Sequence, residues 1–211
     1  MNILAIAHYQ NDSSPCAIFI HEQMKAFVNI GNRVRVIVPI AIGKKGHDEK
    51  RIGFGIKNDV IDGIEYFFVR YLSLSHYGEY KFNAKSAILS ILIYLPKILK
   101  SFYPDIIHAH TFGFDSDIGA WLKKRFEIPL VVTTHGSDTS LLVENKEYKR
   151  LKEYADKAGY IVAVSTALAN KLKLCATDTP ISVILNGFAI QHMHNNLNKM
   201  CIRDRLWRAR F

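Results

Sequence analysis

An α/β domain, a parallel sheet with flanking helices, is the fold class that the 211-residue sequence predicts. Three observations predict it. Short β-branched runs alternate with longer helical patterns, as in successive strand–helix–strand units. Several runs are apolar throughout instead of alternating, as strands covered on both faces are. The runs also stop abruptly at polar residues, which is where open α/β sheets present ligand-binding groups.

The elements follow in order. Asn2 to Ala7 reads as a strand whose apolar run stops at His8; with no basic segment before it, it is not a signal peptide. A helix over about 17–30 ends at Gly31, a good C-terminal cap. A strand over 33–39 leads into residues 41–58, which are rich in Gly and Lys, weakly periodic and read as a loop. Asp62-Gly63 turns into a strand over 64–70. A helix over 83–102 is apolar nearly all round, and Pro96 is expected to kink or end it. Such a helix is usually buried; the alternative is partial exposure to a membrane surface, with Lys97 and Lys100 at the headgroups. Strands at 105–109, 129–134, 160–165 and 181–185 alternate with helices at 115–126, 146–157 and 166–174. Ser165 is the expected cap of the last of these helices.

Composition narrows the function classes. About half the residues are apolar and the charged share is ordinary, so a packed core is expected. The formal charge is +9, but residues 200–211 hold four arginines against Asp204, a net +3, which leaves +6 elsewhere. The other basic residues are scattered and not interleaved with aromatics, which disfavours nucleic acid as a partner. A basic face that meets phosphate or anionic lipid stays open. Cys16, Cys175 and Cys201 have no metal spacing and read as reduced thiols of a cytoplasmic protein. No segment reaches the ~18 apolar residues of a membrane span. Residues 200–211 follow a polar run and resemble translated library junctions at broken gene ends. The expected organisation is therefore a domain over 1–188, then a truncated junction and non-native tail over 189–211.

The most informative stretch is Pro129 to Asp138, where Leu-Val-Val-Thr-Thr breaks into His135, Gly136, Ser137 and Asp138. Gly136 permits a sharp turn or close approach to a ligand. Asp138 is positioned to cap a following helix, whose free N–H groups suit an anion. Other strands end alike: His8 after the first, His108 and His110 after Ile106-Ile107, Ser165 after Val162 to Val164. In a parallel sheet these groups converge on one edge, the main warrant for a cleft there. His108 and His110 share a strand face as a metal pair would, but no third ligand follows, so no metal is expected. Ser137 near His135 lacks a Gly-x-Ser-x-Gly elbow. The loop from His8 to Cys16 contains no glycine, so a nicotinamide dinucleotide cradle is absent and no cofactor is expected.

Five segments in order resemble glycosyltransferase family 4: Asn2-Ile3-Leu4 with the helix carrying Phe19 to Gln23 and ending at Gly31-Asn32; Pro104 to His110; Thr134 to Asp138; Val164-Ser165; and Val183 to Gly187. The resemblance covers about residues 1–188. It implies a GT-B fold, two Rossmann-like domains with the reaction between them. This chain would be the amino-terminal, acceptor-binding half, with the carboxyl-terminal donor-binding domain missing. The family transfers a glycosyl group from a nucleoside-diphosphate sugar with retention and without an essential metal. The implied acceptor is a glycan or a lipid-linked one in cell-surface polysaccharide synthesis, reached from the cytoplasm or by peripheral contact at the inner membrane face.

By the same resemblance His135 and Asp138 are the catalytic candidates, His135 facing the donor sugar and Asp138 holding the loop. Gly136, Ser165 and Asn186 fall on the donor side; His8, Asn11 and His110 line the acceptor side. Two departures stand out. Ser13 to Ala17 replace the glycine-rich turn of many relatives, and Asn186-Gly187-Phe188-Ala189 replaces Asn-Gly-Val-Asp. The other readings are a GT-B enzyme of another class, such as a sugar-nucleotide epimerase, and a non-catalytic α/β binding module.

Overall fold

The strand β1 (Asn2–Ile6) lies inside an eight-stranded sheet of order β3-β4-β2-β1-β5-β6-β7-β8 in the computed structural model, which describes residues 1–7, 18–42, 55–73, 80–175 and 177–187. The chain builds outward from β1 through β2 (Arg33–Ile42) to β4 (Ile64–Leu72). It then crosses to the other side of β1 and continues through β5 (Ile106–Ala109), β6 (Leu130–Thr134), β7 (Tyr160–Ala163) and β8 (Ile181–Val183). These seven strands are parallel. The reversal of direction falls between β1 and β5, and open α/β sheets bind ligands beyond the strand ends at such a point.

The two ends of the loop expected over 41–58 are strand, and residues 43–54 lie outside the described residues. β3 (Ile56–Ile61) pairs antiparallel with β4 at the sheet edge, and β2 runs on to Ile42. Its Lys57 to Val60 side chains face solvent, so it lacks the apolar run by which the buried strands are read. Asp62 and Gly63 make the expected turn with φ of 52° and 78°. Two successive positive φ values match the twist of a tight hairpin. The Asp62 carboxylate also accepts from Lys25 and pairs with His21, which anchors the hairpin to the first helix.

The helices pack on opposite faces. α1 (Ile18–Asn29) buries Ile20 and Met24 against Ile3, Ala5, Val36 and Tyr66. α2 (Tyr80–Ile98) and α3 (Phe114–Phe126) cover the other face, over Leu4, Ile6, Ile107 and Val132. Gly119 lets α3 come close, since a Cβ there would lie 2.8 Å from Leu130 Cδ1. α4 (Ser137–Glu144), α5 (Tyr148–Lys157) and α6 (Thr166–Lys173) add Leu142, Leu151 and Leu168 to this larger core.

The helix expected at 83–102 ends at Ile98, two residues past Pro96. Arg35 explains where it stops. Its guanidinium, buried among Phe102 and Phe67, donates to the Ile98 and Lys100 carbonyls at 2.7 and 2.9 Å and pairs with Glu65. Carbonyls that a helix leaves unpaired at its end are thereby satisfied. The expectation that this helix is buried is corrected. Ala84, Ala87, Ile91, Leu95 and Ile98 face the core, while Leu89 and Ile93 are 62% and 65% exposed. Apolar residues occupy both faces, so hydrophobic periodicity carried no sign of which face was outward.

Candidate active site

The site grows from alternation along β5 and β6. Ile107, Ala109, Leu130 and Val132 point into the larger core, so His108, Thr133 and the residues in phase with them point toward α1. There the polar groups meet. His108 Nε2 shares a 2.7 Å hydrogen bond with Thr133 Oγ1, and the His108 and His110 rings lie 4.2 Å apart. His110 Nδ1 is 3.4 Å from His135 Nε2, a long hydrogen bond between nearly parallel rings. Phe19 of α1 packs on His135 at 4.5 Å between centroids, and Phe27 on His108 at 6.2 Å. His110 N donates to Ile6 O, which sets this residue at the β1–β5 switch point.

Burial has an electrostatic consequence for the deepest ring. It pushes the His108 pKa down to about 4, and the nearby His135 adds to the shift. His108 is therefore neutral at pH 7, an uncharged base under the stack.

Asp138 organises the loops beyond the strands. Its Oδ2 accepts from Phe112 N at 2.8 Å, and its Oδ1 accepts from Thr134 Oγ1 at 2.9 Å and Gly136 N at 3.2 Å. Thr134 Oγ1 also bonds Thr139 Oγ1 at 2.6 Å. One carboxylate thus ties the loop after β5 to the loop after β6. Burial raises its pKa, while the Phe112, Thr134, Thr139 and Gly136 donors pull the other way. All of these partners donate, so the geometry suits the ionised acceptor. The expectation that Asp138 caps the helix is corrected: Gly136 is the N-cap, and Asp138 sits one residue inside the first turn. Gly136 has φ 115°, a value that L residues rarely adopt.

Of the other expected site residues, Ser165 lies at the same edge after β7 and caps α6 by accepting from Leu168 N at 3.2 Å. Asn186 follows β8 on an exposed segment. His8 and Asn11 lie outside the described residues, as do the Ser13 to Ala17 departure and the tail over 189–211. Among the described residues no cluster of three metal-ligating side chains occurs. No described helix is long and apolar enough to cross a membrane.

Sequence reasoning missed three contributors. Thr133 looked like an ordinary strand residue, and Thr134 entered only as the start of the family-like segment with no role of its own, although two hydroxyls closing an apolar run are a signal. Asp115 was not singled out; fully buried at the start of α3, it accepts from Thr111 Oγ1 at 3.0 Å. Its charge adds to the burial that raises Tyr71 to about 12, so the phenol keeps its proton.

This architecture, a mostly parallel sheet with polar groups gathered at the carboxyl edge beside a switch point, is one half of a GT-B fold. It superposes on sucrose-phosphate synthase from Thermosynechococcus elongatus with a TM-score of 0.62 at 11% identity, covering 90% of this chain and 49% of that one. Anabaena Alr3699/HepE, solved with UDP and glucose, gives a TM-score of 0.53 at 16% identity, covering 98% of this chain and 50% of that one. The family model for Glycosyltransferase Family 4 matches residues 17–192, and the chain belongs to that family. A relative, the putative teichuronic acid biosynthesis glycosyltransferase TuaC of Bacillus subtilis (strain 168), is 32% identical over 113 residues, 51% of this chain and 28% of that protein. The chain thus spans about half the length of these two solved structures, and its match to TuaC covers under a third of that protein.

Proposed function

We propose that residues 1–188 are the acceptor-side half of a retaining hexosyltransferase that moves a sugar from a nucleoside-diphosphate donor to a glycan or lipid-linked acceptor in cell-surface polysaccharide synthesis, on the cytoplasmic side of the membrane. The observation that carries the reading is the contact of His110 with His135 at the switch point, beside loops tied together by Asp138. In this reading a second domain holds the donor. His135 faces the donor sugar, and the Gly136 turn with the first N–H groups of α4 gives the departing diphosphate fixed dipoles. Asp138 works at one remove, through the position it gives His135 and Gly136. His110, with His8 and Asn11, lines the acceptor side; Ser165 and Asn186 lie toward the donor. TuaC, named for teichuronic acid biosynthesis, and HepE, solved with UDP and glucose, support this choice of product and donor.

The test uses the intact enzyme, with the gene followed past Asn186, and the chain by itself. The chain alone should show negligible turnover of nucleotide sugar. His135→Ala in the intact enzyme should lower kcat by about 10²–10³, the loss typical of a transition-state donor. Chelation of metals should leave the rate unchanged. Unaltered transfer by His135→Ala would sink the role given to His135, and absence of transfer by the intact protein would favour a non-catalytic binding module.

A further inference from the structure

The outer face of α2 is the feature of the fold that the transfer reaction leaves unused. Phe82, Leu89, Leu92 and Ile93 are exposed by 42%, 62%, 44% and 65% and recur at spacings of three, four and seven residues. That spacing puts them in one stripe along a helix that buries its opposite side. Lys85, Lys97 and Lys100 are also exposed beside the stripe. From Tyr80 to Lys100 the sequence has no acidic residue. An apolar stripe among lysines, with no carboxylate on the helix, is charge-complementary to one kind of surface.

We propose that α2 docks this domain on an anionic lipid bilayer. The leucine, isoleucine and phenylalanine side chains enter the acyl boundary, while the long lysine stems let the ammonium groups reach the headgroup phosphates. A second copy of the chain is a poorer occupant. Four side chains on one helix fall short of the surface of about 800 Å² per partner that a stable interface buries, and the lysines of two copies would repel.

The orientation of α2 adds a consequence. It joins the carboxyl end of β4 to the amino end of β5, so it runs antiparallel to the strands. Its first turns lie toward the edge that holds His110 and His135, and its last turn at the opposite edge. A domain resting on α2 therefore opens its site sideways along the bilayer. If the proposed transferase reading holds, that geometry selects a lipid-linked acceptor over a free glycan.

The experiment is co-sedimentation of the 211-residue chain with vesicles of equimolar phosphatidylcholine and phosphatidylglycerol, and with vesicles of phosphatidylcholine alone; it does not depend on sugar transfer. The chain should sediment with the anionic vesicles and not with the neutral ones. Leu89→Glu with Ile93→Glu should weaken binding at least tenfold while leaving the melting temperature in place. Lys97→Gln and Lys100→Gln should each weaken it about fivefold, as one basic residue near an anionic surface would. Failure to sediment, equal binding to neutral vesicles, or self-association through the stripe in place of vesicle binding would overturn the proposal. So would binding that survives Leu89→Glu with Ile93→Glu, as binding by the arginines of residues 200–211 would.

Discussion

At β5 and β6 the two faces of one sheet differ in kind. Toward α3 lie Ile107, Ala109, Leu130 and Val132, all fully buried and apolar. Toward α1, one residue out of phase, His108 and Thr133 are nearly as buried, with His110 and His135 stacked beyond them. The first face stabilises by area removed from water and by close packing. The second sets aside part of that gain and must satisfy each polar atom it buries. A sheet that needed only stability would be apolar on both sides. The polar column lies on the side where the proposed function places the chemistry.

The largest effect should come from importing polarity to the wrong face. Val132→Asp places an unpaired charge at a fully buried position and should destabilise by about 4 kcal/mol or more, read from the urea unfolding midpoint.

Acid should expose the vulnerability of the polar face. Unfolded, His108 titrates near its ordinary value of 6.5; folded, near 4. Between those values the unfolded chain binds more protons, so stability falls as pH falls. The contribution is complete above about pH 6.5 and lost toward pH 4, and amounts to about 3 kcal/mol. His108→Leu should remove that part of the slope in unfolding curves taken across the window; an unchanged slope would refute the account.

Asp138→Ala strands the Phe112 and Gly136 N–H groups, leaves the Thr134 hydroxyl with Thr139 alone, and should cost about 2 kcal/mol. Faster amide exchange at Phe112 and Gly136 would report the untied loops. The mildest change is Gly136→Ala. Nothing lies within 4 Å of the added methyl, so backbone strain is the only cost, about 1 kcal/mol in thermal melts.

Much of the fold was legible because it is written in local periodicity. The seven parallel strands stand near their expected bounds, and Ser165 caps α6 as its position after an apolar run suggests. β3 escaped notice because an exposed edge strand has no apolar face to announce it. Asp138 was read as a cap because aspartate one residue into a helix and aspartate at its start look alike in sequence; the φ of Gly136 separates them. α2 was read as buried because apolar residues on both faces carry no direction.

Strand order, the switch point and the outward face of α2 belong to the tertiary structure, since they depend on which distant segments lie side by side. Sequence alone established that β-branched runs end in histidine, serine and aspartate, because a single strand carries that pattern within itself. Folding decided that His110 meets His135 across 25 residues and that one carboxylate, Asp138, holds two loops, because hydrogen bonds form between neighbours in space and not along the chain.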